Sequence, residues 1–148
     1  MRDRENKPRR RRQAGITLIE MLVVVTIIAL FAAVVLTNMM PKLDKARRTA
    51  ARTQVNGFMT ALGTYKLDTG TYPTTEMGLR ALREKPEAVN GWQGPYLQKD
   101  VPKDPWGNEY VYKYPGDHGD DPDVCSLGLD GKPGGDGNNA DICSRKND

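Results

Sequence analysis

Residues 16–40 read ITLIEMLVVVTIIALFAAVVLTNMM, in which Glu20 is the only charged position. A helix of about 20 apolar residues crosses the hydrocarbon core of a bilayer at roughly 1.5 Å per residue, so this run predicts a membrane-spanning helix. Beyond Pro41 the pattern changes from uniformly apolar to one-sided. Leu43, Ala46, Ala50, Val55, Phe58, Met59, Leu62 and Tyr65 recur at spacings near three and four. That period predicts an amphipathic continuation over residues 41–68, with an apolar stripe packed on a small domain. Lys42, Lys45, Arg47, Arg48, Arg52 and Lys66 then stay solvated. Pro41 lacks a backbone donor and predicts a kink where the apolar run gives way, and Gly57 and Gly63 loosen the helix further.

After Asp68-Thr69-Gly70 the chain becomes rich in turn formers and aromatics. Residues 76–82 read as a short helix. Glu109-Tyr110-Val111-Tyr112-Lys113-Tyr114 alternates polar with aromatic or β-branched positions and reads as a strand, and a second strand starts near Val124. The expected fold is therefore α+β: a long N-terminal helix whose C-terminal half packs on a small antiparallel sheet in a domain of residues 69–148.

At 148 residues the chain has room for one modest domain beside the apolar helix. Its formal charge of +3 is unevenly placed. Residues 1–15 hold seven basic residues against Asp3 and Glu5, and residues 16–148 hold 15 basic against 17 acidic. The basic excess belongs to the segment before the apolar run, where it retains the N-terminus in the cytoplasm and turns the remainder outward. It is better read as an orientation signal than as a nucleic-acid footprint, so no nucleic-acid partner is expected. No Ala-x-Ala cleavage pattern follows the apolar run, which disfavours removal of the helix as an ordinary signal peptide. Nor do His-Glu-x-x-His, Gly-x-Ser-x-Gly or a Ser-His-Asp set occur, and His118 is the single histidine. Catalysis is not expected.

The junction Gln13-Ala14-Gly15-Ile16-Thr17-Leu18-Ile19-Glu20 resembles the processing site of type IV pilins and type II secretion pseudopilins. The resemblance implies that a prepilin peptidase removes residues 1–15 by cutting after Gly15. Ile16 then becomes the N-methylated first residue, although most members begin with phenylalanine or methionine. A glycine before the apolar run also suits close approach of a protease to the backbone. A glutamate inside hydrocarbon costs about 2.5–3.5 kcal/mol on insertion scales, less near the interface. Two readings offset that cost: Glu20 snorkels to the headgroups, or, as the family implies, it pairs with the new N-terminal amine of a neighbouring subunit.

The blocks YKLDTGTYPTTEMGLRAL, GPYLQKDVPKDPWGNEYVY and SLGLDGKPGGDG resemble the major pseudopilins of type II secretion, over residues 14 to about 142. The resemblance implies a structural subunit, anchored once in the bacterial inner membrane with its C-terminal domain in the periplasm. Such subunits polymerise into a helical filament, the pseudopilus, that drives folded proteins across the outer membrane. Expected partners are further copies, minor pseudopilins, the inner-membrane assembly platform and prepilin peptidase.

Residues 117–141 interleave aspartates with glycines. Calcium takes six to eight oxygen ligands, and glycines let carbonyls join carboxylates around it, so the stretch reads either as a cation loop or as a solvated acidic loop. The family resemblance selects calcium in a loop over residues 124–143, with Asp130, Asp141 and the Leu127 carbonyl as ligands and Asp136 and Asn138 as further candidates. Cys125 and Cys143 bracket the loop, and two cysteines in an outward-facing domain are expected to form a disulfide. Zinc is disfavoured by two thiols and one histidine.

Overall fold

The computed structural model describes residues 15–117 and 119–145, without side chains at 36–38. Residues 1–14 and His118 lie outside the described residues. Contacts group the chain into one compact unit that ends at Met40 and a second over Pro41–Asp148.

Helix α1 runs over Leu18–Thr69. It starts at Thr17, whose Oγ1 accepts the Glu20 N–H at 3.3 Å. Thr followed three residues later by Glu is the capping-box pattern, and a carboxylate in the first turn faces the positive end of the helix macrodipole. In the first unit the described side chains of α1 are exposed all round. The most apolar 18 residues have a mean hydropathy of 2.9 and none is buried, so α1 is long and apolar enough to cross a membrane. Helix α1 does not end at Pro41, which lies inside it.

In the second unit α1 is one-sided. Ala51, Val55, Phe58, Ala61, Leu62 and Tyr65 are buried at spacings of three and four. The predicted stripe is corrected at its start: Leu43, Ala46 and Ala50 are exposed and Met59 is half-buried. Counting back from Ala51 by three and four reaches Arg48 and Asp44, so the earlier apolar positions lie about 100° around the helix from the buried face. Gly70, with φ of 85°, closes the helix by donating its N–H to the Lys66 carbonyl at 2.8 Å, a C-terminal position that favours glycine.

A 3-10 helix, η1, spans Gly78–Leu82, and three strands follow: β1 Val111–Lys113, β2 Asp123–Ser126 and β3 Ile142–Cys143. They form an antiparallel sheet in the order β1-β2-β3, with Val111 opposite Cys125 and Cys125 opposite Cys143. Strand β1 is shorter than predicted, because Tyr114 leads into Pro115, which has no donor for a ladder. The helix expected over 76–82 is a 3-10 turn of five residues. Strand β3 was not predicted at all. At two residues it is too short for an alternating pattern to show.

The core joins Val55, Phe58, Leu62 and Tyr65 of α1 to Leu79 and Leu82 of η1 and to Tyr110, Tyr112 and Val124 of the sheet region. Phe58 meets Tyr110 edge to face with ring centroids 5.0 Å apart. The irregular chain after η1 is held at points: Trp92 Nε1 donates to the Ala81 carbonyl at 2.9 Å, and the Tyr96 hydroxyl donates to Asp68 Oδ2 at 2.9 Å. Gly91 is required there, since a Cβ would stand 2.5 Å from the Asp68 carbonyl oxygen.

Burial pushes the phenols of Tyr110 and Tyr112 above their ordinary value, helped at Tyr110 by the Asp104 charge and at Tyr112 by Tyr114. Both are neutral in the folded and unfolded chain below about pH 10, so they cost nothing there. Above that pH the unfolded chain releases the protons first, and stability falls as pH rises. An alkaline titration should therefore show the late rise in tyrosinate absorbance coinciding with loss of the far-UV helical signal. Six phenols ionising reversibly near pH 10 in a protein that stays folded would contradict the assignment.

Candidate functional site

The predicted processing residues sit at the start of α1. Gly15 is exposed, and a Cβ added there would meet nothing within 4 Å, so packing within the chain does not demand glycine. Ile16 is 72% exposed. Glu20 is exposed in the first turn.

The aspartate loop lies between β2 and β3. Cys125 and Cys143 form a disulfide, as their opposed positions in the ladder allow. Inside the loop, the Leu129 N–H donates to the Asn138 carbonyl at 2.9 Å. Gly128 has φ of 68°, and a Cβ there would fall 2.8 Å from the same carbonyl oxygen, so the two strands of the loop approach as only glycine permits. The Lys132 N–H donates to Asp130 Oδ1 at 3.2 Å, and the Gly134 N–H donates to Asp141 Oδ2 at 2.8 Å. A second 3-10 helix, η2, covers Gly137–Asn139.

Of the five ligands predicted from sequence, the loop brings some together and leaves others apart. Leu127 and Asp141 line one hollow of about 410 Å³, beside the disulfide. Asn138 and Asp141 line a groove of about 670 Å³ against α1. Asp130 and Asp136 are exposed and line neither. Among the described residues no three His, Cys, Asp or Glu side chains gather as a metal-binding group. Yet Asp141 Oδ1 is buried and takes no hydrogen bond among the described residues. A buried carboxylate oxygen without a donor is costly, and a cation there would satisfy it. Asp141 Oδ1 is thus an oxygen that a hard cation would fit.

Sequence reasoning missed Asp104, Asn108 and Ser126. Asp104 is 4% exposed and its carboxylate is fully engaged. Oδ1 accepts the Trp106 N–H at 3.0 Å and the Asn108 N–H at 2.8 Å, while Oδ2 accepts the Ser126 hydroxyl at 2.6 Å. The Asn108 amide then donates to the Gly128 carbonyl at 2.7 Å. The turn Asp104-Pro105-Trp106-Gly107-Asn108 is thus the clamp that holds the near end of the aspartate loop. Asp before Pro, with Gly-Asn following, is a turn signal that could have located it.

An exposed apolar helix opened by a glycine and a first-turn glutamate, followed by a small one-helix, three-strand domain, defines a pilin-like subunit. The prokaryotic N-terminal methylation motif matches residues 10–36. The model of type II secretion system protein G matches residues 38–145, and the chain belongs to that family of major pseudopilins. It is 46% identical to the type II secretion system core protein G of Vibrio cholerae over 135 residues, 89% of this chain and 91% of the relative. The corresponding Pseudomonas aeruginosa protein is 45% identical over 136 residues, 90% of this chain and 95% of the relative. The crystal structure of the major pseudopilin from the type 2 secretion system of enterohaemorrhagic Escherichia coli superposes with a TM-score of 0.61 at 36% identity, covering 72% of this chain and 93% of that one. The family is a structural one, and the apolar helix is consistent with membrane anchoring.

The clamp makes a direct prediction. Ser126→Ala deletes the hydroxyl that serves Asp104 Oδ2 and leaves a buried carboxylate short of a donor. Equilibrium denaturation should show a loss of about 1–3 kcal/mol, with no change in helix content.

Proposed function

We propose that the chain is made as an inner-membrane precursor, cut after Gly15, methylated at Ile16 and polymerised in the periplasm as the bulk subunit of the secretion pseudopilus. The observation that supports this most directly is the first unit's α1, whose described side chains are exposed throughout, as a surface destined for lipid or for neighbouring subunits would be. Residues 1–15 act as the removed leader, 16–40 as the span and later filament core, 41–68 as its amphipathic continuation and 69–148 as the periplasmic domain. Glu20 pairs with the amine that cleavage creates on a neighbouring copy, which makes processing a precondition of assembly. Leu43, Ala46 and Ala50, exposed in the single subunit, continue the apolar surface available to neighbouring copies. Minor pseudopilins, the assembly platform and prepilin peptidase are its proposed partners.

Mass spectrometry of protein from peptidase-competent cells should show a chain starting at methylated Ile16, and Glu20→Ala should be processed yet fail to pellet as filament. A Met1 terminus in such cells would sink the reading.

Calcium is proposed as the loop's cation, held by Asp141 and the Leu127 carbonyl, with Asp130, Asp136 and Asn138 closing in as the loop orders. Its contribution would be charge neutralisation and order in the loop, with no chemical step. At a calcium level about a hundredfold above the dissociation constant, mass action supplies about 2.7 kcal/mol. For a domain of this size, chelation should lower the melting temperature by an amount on the order of 10 °C. Asp141→Asn should melt at the chelated value with or without calcium; a variant that still responds to the ion would remove Asp141 from the site.

A further inference from the structure

The core face of α1, counted back from Ala51, passes through Arg48 and Asp44. Both are half-buried, while Lys45, Ala46, Thr49 and Ala50 around them are exposed. Below Ala51 the apolar core no longer covers this face, and the aspartate loop takes its place. The two are separated by the groove of about 670 Å³ whose walls include Asp44, Arg48, Arg52, Asn138 and Asp141. Arg48 crosses that gap: its Nη1 donates to the carbonyl of Gly137, the first residue of η2. From Gly137 the connections reach the cation end of the loop within a few residues. The Asn138 carbonyl takes the Leu129 N–H, and Asp141 closes on Gly134.

We infer that Arg48 is a positioning residue that ties the aspartate loop to the first turns of α1 beyond the apolar run, so that the order of the loop is passed to the helix. The charge-assisted bond to a backbone carbonyl asks for a long side chain with a directed donor, which Arg48 supplies from a helix face otherwise set for the core. The tie gives the loop an outlet: a cation that orders residues 134–141 also steadies residues 42–52, the stretch that leads directly from the apolar run. By linkage, an untied helix should weaken the cation in return. The half of the inference that involves the ion rests on the calcium reading above, and the tie itself does not.

The test is hydrogen-exchange mass spectrometry on the full-length processed protein in detergent, with calcium chloride or chelator, for the wild type, Arg48→Gln, Arg48→Met and Lys45→Gln. Methionine keeps an unbranched apolar stem and removes the donors. Lys45→Gln removes a charge from the same groove without touching the tie. In the wild type and Lys45→Gln, calcium should slow exchange in both 134–141 and 42–52. In both Arg48 variants the loop should still slow while the helix segment stops responding, and calcium affinity measured by titration calorimetry should fall about tenfold, the equivalent of about 1.4 kcal/mol. A helix segment that responds as in the wild type in either Arg48 variant overturns the tie. If uncoupling occurred with Gln alone, lost packing would be its cause and the tie would fall as well. If the wild-type loop itself ignores calcium, the calcium reading fails and the chelated samples decide: faster exchange at 134–141 in both Arg48 variants supports the tie, and unchanged rates refute it.

Discussion

One helix is apolar all round over its first stretch and one-sided over its second, and the fold of the domain depends on that change. In hydrocarbon no water is present to pair with a peptide group, so a spanning segment must close all its backbone bonds internally, which a helix does. Over residues 16–35 the side chains, Thr17, Glu20 and Thr26 apart, are apolar on every face, and the subunit buries none of those described. From Ala51 to Tyr65 the same helix is apolar on one face only, and that face is buried. The change from all-round to one-sided apolarity, with the helix continuing, lets a single element be apolar enough to cross a membrane and also carry the core of the domain that follows.

The domain is correspondingly dependent on α1. Strands of three, four and two residues expose little area for one another and would not hold as an isolated sheet. Tyr110, Tyr112 and Val124 find their partners on the helix and η1 instead. Most of the remaining chain is irregular, and it is fixed by single bonds at chosen points: Trp92 to Ala81, Tyr96 to Asp68, Tyr112 to Pro73 and Asp104 to Ser126. Each bonded side chain is aromatic, or is a polar group whose burial would be costly without that bond.

The sequence made the helix legible because its signals are long: twenty-five positions of which only Glu20 is charged, then a period of three and four. The phase of the second part was read wrongly at Leu43, Ala46 and Ala50, since periodicity marks an apolar face without saying where the domain stops covering it. Arg48 was for the same reason assigned to solvent, although it stands on the face that meets the loop. Strand β1 was recognisable from Tyr110-Val111-Tyr112, whereas β3 was not, because two residues carry no period. The disulfide followed from compartment and count. The Asp104 clamp did not, because Asp104 and Ser126 stand 22 positions apart, Asn108 and Gly128 stand 20 apart, and only the fold brings them together.

The aspartate loop is restrained at both ends and least restrained in its middle. Cys125–Cys143 fixes the two strands at their pairing point, and a bridge of this span contributes about 3 kcal/mol in the chain-entropy model. Asn108 holds the near arm through Gly128, and Arg48 holds the far arm through Gly137. None of these reaches Asp141 Oδ1, which stays buried without a donor. A disulfide lowers the entropy of the open loop but leaves that oxygen without a donor. The covalent bridge and a cation would therefore act on different parts of the cost of ordering the loop, and the presence of the first does not make the second redundant.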